Sequence, residues 1–95
     1  MGERNDEYVQ KFVDAVAAAG LDVTVTADDV RNATRRQDLD ITSLNVIMVI
    51  VSYLQTGPGG GTPKAEWVPR LDEIDGILSV LEEIDRTARQ AAPVP

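Results

Sequence analysis

Apolar residues return with helical spacing in three stretches of the chain. Val9, Phe12, Val13 and Val16 fall at i, i+3, i+4 and i+7, which predicts a first helix over about 6–19. Glu3, Asp6 and Glu7 lie near its start, where the helix dipole favours negative charge, and Gly20 offers a stop. The run 43–55 is less direct, because Val46, Ile47, Val49, Ile50 and Val51 are strand formers. Its length exceeds that of most buried strands, and on a helix Asn45 and Ser52 share a direction with Gln55 and Met48 nearby. Ile50, Ile47, Leu54 and Val46 then gather on the other side as a core face. Leu44, Met48 and Val51 fall toward the polar side, so some of them should be exposed. The last stretch, 72–89, carries Ile74, Ile77, Leu78, Leu81 and Ile84 on one face. Acidic residues crowd its start, and Arg86 and Arg89 come late.

The connections differ in kind. Residues 21–37 form a long link in which Val23 and Val25 alternate with threonines. No second strand pattern exists to pair with them, so an extended loop is expected. Thr26 and Asp29 have the spacing of a capping box and predict a short helical turn over 27–32, with Val30 inward. Arg31, Arg35 and Arg36 are the main basic spot, read as a solvated loop pairing with nearby carboxylates. Residues 56–63 are rich in glycine and predict a flexible connector. Thr62 as cap and Pro63 as first residue should start a short third helix that Pro69 ends near Val68. Trp67 should pack that segment down. Residues 1–90 read as one domain and 91–95 as a frayed tail.

Composition narrows the chemistry. With 95 residues and four aromatics, one modest core of Val, Leu, Ile and Ala suits a small helical bundle. The net charge of −7 opposes binding to nucleic acid. There is no cysteine and no histidine, which removes disulfides, thiolate sites, Ser-His-Asp chemistry and histidine-based zinc sites together. The first residues read as neither a signal peptide nor a myristoylation motif. The apolar run 44–54 is too short to span a bilayer. A cytoplasmic location and a monomer are the expectations.

Several carboxylate pairs invite an acid–base reading: Asp38 with Asp40, Asp28 with Asp29, Glu82 with Glu83. Each needs a partly desolvated cleft, which a bundle this small scarcely offers. Asp38-x-Asp40-x-Thr42 imitates the start of a calcium loop, but Ser43 and Val49 stand where Gly and Glu are required. No metal and no catalytic residue is expected, and the chain reads as a non-enzyme. Ser43 is different. It follows two carboxylates and opens a helix, and no charge occurs between Ile41 and Pro63. A hydroxyl there lies outside the helical hydrogen-bond ladder, and an anionic group built on it would meet free amides and the positive dipole end. The plainer alternative is that Ser43 or Thr42 only caps the helix.

The stretch Asp38-Leu39-Asp40-Ile41-Thr42-Ser43-Leu44 resembles the Asp-Leu-Gly-x-Asp-Ser-Leu motif of acyl carrier proteins. The resemblance extends over about 9–84: Val30 lies ahead of a polar loop, Ser43 opens the second helix, and a short third and an amphipathic fourth helix follow. It implies an all-α four-helix bundle with a long first loop. It also implies a 4′-phosphopantetheine arm on Ser43, attached by a phosphopantetheinyl transferase and holding acyl groups as thioesters. Partners would be a ketosynthase, an acyltransferase or other acyl-processing enzymes. Their recognition is expected at Leu44, Met48 and Val51, with Asp38 and Asp40 beside them. The chain departs from the family pattern at Asp40 for Gly, Thr42 for Asp and Asn45 for an acidic residue. Its second helix also lacks the family's glutamates, with Met48 standing where one is common. This points to a polyketide or related natural-product pathway ahead of fatty-acid synthesis. The alternatives are a peptidyl or aryl carrier, whose usual Gly-Gly-x-Ser pattern is absent here, and a carrier-like interaction module that has lost the arm.

Overall fold

Asn5 accepts a hydrogen bond from the Glu7 amide through its side chain and so starts the first helix, α1 (Asp6–Ala18). The computed structural model describes residues 5–56 and 63–91. After α1 come α2 (Ala27–Asn32), a 3₁₀ turn (Arg36–Leu39), α3 (Ser43–Thr56), a 3₁₀ segment (Ala65–Asp72) and α4 (Ile74–Ala91). The described residues form a small all-α bundle without a strand. The three long helices α1, α3 and α4 touch one another, α2 lies against α1, and the 3₁₀ segment packs on α3 and α4. Among the described residues no helix is long and apolar enough to cross a membrane.

The predicted apolar stripes supply most of the core. Val9, Phe12 and Val16 of α1 are buried, while Val13 is only half-buried. All five apolar residues singled out on α4, Ile74 through Ile84, are buried, and Val80 joins them. On α3 the buried face is Val46, Val49, Ile50 and Leu54. Ile47, expected on the same face, is half-buried. Val49 takes its place in the core, while Ile47 lines a cavity against the 3₁₀ segment.

Residues 21–26 of the long link form neither helix nor strand, and Val25 is buried. Thr26 and Asp29 form the predicted capping box, with both reciprocal bonds at 3.1 Å, and Val30 is fully buried. Three boundaries differ from the sequence reading. The third helix is of 3₁₀ type and begins at Ala65 after Lys64, so Pro63 lies outside it. It also runs through Pro69 to Asp72, since a φ fixed near −65° suits a 3₁₀ turn. Finally α4 starts at Ile74, because Glu73 is extended and bridges Arg35, and the Ile74 amide donates to the Thr34 carbonyl at 3.0 Å. Residues 57–62 of the expected connector, Thr62 as a cap, and 92–95 of the expected tail lie outside the described residues.

Two polar knots cross the bundle. The Asp85 carboxylate of α4 accepts from Tyr8 Oη at 2.9 Å and Lys11 Nζ at 2.7 Å on α1, and from Tyr53 Oη at 2.7 Å on α3. One side chain thus ties three helices. Its own burial pushes the carboxyl up, but the bonds from Lys11, Tyr53 and Tyr8 together outweigh that and hold it below the usual range. The bond to Asp85 raises Lys11, and burial followed by the same carboxylate raises Tyr53. The second knot is Glu83, which accepts from Trp67 Nε1 at 2.8 Å and Arg70 Nη1 at 2.9 Å and so fixes the 3₁₀ segment on α4. The two elements meet closely at Gly76, where a Cβ would run into the Arg70 carbonyl oxygen.

Removing the first knot by Asp85→Ala should lower the unfolding free energy by about 2–3 kcal/mol, read by urea titration at neutral pH. Because the folded carboxyl holds its proton more weakly than the unfolded one, this contribution is complete above about pH 4 and drains away as pH falls further. The wild type and Asp85→Ala curves should therefore converge in acid. Gly76→Ala should destabilise by about 1–3 kcal/mol, although Ala ordinarily gains about 1 kcal/mol over Gly inside a helix. A rise in Tm for that variant would contradict the close contact.

Candidate functional site

Asp38 organises the approach to α3. Its Oδ2 accepts from the amides of Arg35 and Thr34, each at 3.0 Å, and these bonds hold the carboxyl below the usual range. The 3₁₀ turn then ends at Asp40, which has φ 58° and ψ 31°, the left-handed region. Asp tolerates that conformation better than most residues, and Gly adopts it without strain. Beyond it Ile41 turns inward and is buried. The Ile41 carbonyl accepts from Arg36 Nη1 at 3.3 Å, while Arg36 Nε donates to Asp72 at 3.1 Å. The loop is thereby fastened to the 3₁₀ segment.

Thr42 is the N-cap of α3. Its Oγ1 accepts from the Asn45 amide and its own amide donates to Asn45 Oδ1, both at 3.0 Å. Its carbonyl accepts from the Val46 amide at 3.0 Å, the first bond of the helix. This is a capping box with Asn at the third position. Ser43 therefore stands at the first helical position and is relieved of capping. It is exposed, and its hydroxyl makes no hydrogen bond among the described residues. The amides of Ser43 and Leu44, in the first turn, have no intrahelical acceptor. A nucleophilic oxygen and two free amides thus share the positive end of a 14-residue helix.

The other expected site residues separate. Leu44 is 64% exposed and Met48 42% exposed, whereas Val51 is half-buried. Asp40 is exposed, but Asp38 is committed to the loop amides, a structural task. Val68, marked by the sequence only as the end of the third helix, is 49% exposed on the 3₁₀ segment. The 3₁₀ segment packs against α3. Between the two lies a cavity of about 190 Å³, lined by Ile47, Ile50, Trp67, Val68 and Leu71 among others. Ile47, which lines this groove, is one helical turn beyond Ser43 on α3.

The remaining candidates are occupied by structural bonds. Arg31 pairs with Asp6 at 3.0 Å and Asp28 at 2.8 Å, and Arg36 with Asp72. Asp29 serves the α2 cap. Glu82 pairs with Arg86 at 3.1 Å, and Glu83 holds the 3₁₀ segment. Among the described residues no three His, Cys, Asp or Glu side chains gather as a metal site.

Comparison with models of protein families, with curated proteins and with solved structures finds no match.

The turn at Asp40 is open to a direct check. Asp40→Gly should leave stability unchanged or raise it by up to about 1 kcal/mol, whereas Asp40→Val should lower it by about 1–2 kcal/mol. Urea unfolding of the two variants beside the wild type measures both. Equal stability for Gly and Val would refute the left-handed turn.

Proposed function

We propose that this chain is a carrier of acyl-carrier type, bearing a 4′-phosphopantetheine arm on Ser43. One observation carries the reading: Thr42 takes over the cap of α3 and leaves the Ser43 hydroxyl exposed and unbonded among the described residues. The local chemistry suits the group. A phosphodiester on Oγ would lie by the amides of Ser43 and Leu44 and the positive helix end. Attachment exchanges the serine O–H for an O–P bond to the pantetheine-bearing phosphate of coenzyme A. Adenosine 3′,5′-bisphosphate leaves, and the proton passes to a base of the transferase. The arm supplies a terminal thiol that holds an acyl group as a thioester. The chain's own part is to present Ser43 at a fixed helix end, with an apolar groove one turn away.

Two departures from the family motif become intelligible in physical terms. Asp40 occupies the motif's glycine position and is the non-glycine residue with positive φ among the described residues. A backbone that needs the left-handed region explains a glycine at that place, and Asp is among the better substitutes. Thr42 occupies the aspartate position and acts as N-cap, a task that Asp performs equally well. The small all-α bundle, the long first loop and the short 3₁₀ segment agree with the family's layout. Processing of polyketide or related acyl intermediates remains the preferred pathway class, with a ketosynthase or acyltransferase as partners.

A second reading is a carrier-like interaction module without the arm, favoured by the exposed Leu44 and Met48 on a helix that lacks charge. Intact-mass measurement separates the two. Incubation with coenzyme A and a broad-specificity phosphopantetheinyl transferase should add one phosphopantetheine to the wild type and none to Ser43→Ala. Failure to gain the arm with several transferases, together with its absence from protein of the native host, would overturn the carrier reading.

A further inference from the structure

Thr42 and Ser43 carry adjacent hydroxyls at the start of α3, and either residue type can cap a helix. The hydrogen bonds divide the work between them. Thr42 Oγ1 accepts from the Asn45 amide and Asn45 Oδ1 accepts from the Thr42 amide, both at 3.0 Å. Ser43 lies within that closed pair, exposed, and no amide among the described residues donates to its hydroxyl. A capping oxygen has a lone pair committed to the helix, and a group esterified on it crowds the amide it serves. The oxygen that ends α3 and the oxygen open to substitution are therefore different atoms on neighbouring residues. The box is also uncharged. Asparagine holds the third helical position, and α3 has no acidic or basic residue. Asp40, three residues before Ser43, is exposed to solvent and screened by it.

We infer that Thr42 and Asn45 are positioning residues for the chemistry at Ser43: their neutral capping box bears the end of α3, so that a phosphodiester is built on Ser43 Oγ without cost to the helix. The inference rests on the carrier reading and adds to it the two residues that keep attachment from disturbing the fold. Attachment replaces the Ser43 O–H bond by an O–P bond. Adenosine 3′,5′-bisphosphate leaves coenzyme A, and the proton passes to a base of the transferase. The new anion meets the free amides and the positive end of α3. Asn45 acts through the charge it lacks. Aspartate at the same place would close the same box, and without the arm it would suit the positive helix end at least as well. With the arm present it would set a second negative charge two residues from the phosphate.

The test compares thermal unfolding, followed by circular dichroism, of each chain with and without the arm. Without the arm, Thr42→Ala should lower Tm by about 5 °C and Ser43→Ala by no more than about 1 °C. A fall on Ser43→Ala as large as that on Thr42→Ala would make Ser43 the cap and overturn the inference. The arm is then added from coenzyme A by a broad-specificity phosphopantetheinyl transferase, with completion checked by intact mass. The wild type should unfold with the arm at the same Tm as without it, or slightly higher. Asn45→Ala should lower both forms equally, because it weakens the box without adding charge. Asn45→Asp should leave the bare chain as stable as the wild type and lower the arm-bearing form by about 3 °C at low salt. That difference should largely vanish in about 1 M salt, which a purely structural role of residue 45 would not produce. A wild type that loses several degrees on attachment overturns the inference, and so does an Asn45→Asp chain whose two forms differ no more than those of the wild type. Either result, obtained on protein that carries the arm, leaves the carrier reading standing. Absence of the arm from the wild type overturns the carrier reading and this inference with it.

Discussion

The Asp85 carboxylate bonds at once to Tyr8 and Lys11 of α1 and to Tyr53 of α3. An apolar core holds helices together but constrains their rotation weakly, since Val, Leu and Ile contacts tolerate small turns about the axis. Three directed hydrogen bonds to one partly buried charge do not tolerate them. With Tyr53 fixed to Asp85, α3 cannot turn Ile47 into the core, and Val49 is buried in its place. The same rotation decides which α3 residues face water. Leu44 and Met48 are on the surface, while Tyr53 reaches Asp85 of α4.

The N-terminal end of α3 depends on a second chain of bonds. Asp38 gathers two loop amides, Arg36 fastens Ile41 and Asp72, and the left-handed Asp40 reverses the backbone between them. Buried Ile41 plugs the core at the foot of the helix. Ser43 thus follows a loop whose polar groups are largely engaged, while its own hydroxyl is not. The carboxylates before the serine looked like candidates for contact with partners. Asp38 instead builds the platform, and Asp40 shapes the turn.

How legible this was in the sequence varies by element. The stripes on α1 and α4 were readable because 3.6-residue periodicity records burial directly. The α2 cap was readable for a related reason, since Thr26 and Asp29 act within four residues. What escaped depends on contacts between distant residues. The start of α4 at Ile74 is set by the bridge from Glu73 to Arg35, and the run of 3₁₀ backbone through Pro69 by the packing of Trp67 and Arg70 on Glu83. The half-burial of Ile47 belongs with these, because α3 is apolar nearly all round and its pattern alone cannot fix its rotation. Ser43 was legible as a position, but which of Thr42 and Ser43 caps the helix was not. Both are good caps, and only the reciprocal bonds with Asn45 decide between them.

That decision bears on the chemistry of the site. A serine at the cap position would have its hydroxyl accepting from a backbone amide. Any group added to that oxygen would compete with the bond and loosen the first turn of the helix. With Thr42 as cap the conflict disappears: the helix keeps its end, and the neighbouring hydroxyl can change its substituent without cost to the fold. Asn45 is part of the same solution. A carboxylate at the third position would also close the box, but it would bring a negative charge toward any phosphate on Ser43. Asn closes it without charge and leaves the dipole and the amides of Ser43 and Leu44 to an anion. The neutrality of α3 therefore acts at both scales: it keeps the positive helix end available beside Ser43, and it leaves an apolar face for whatever approaches that serine.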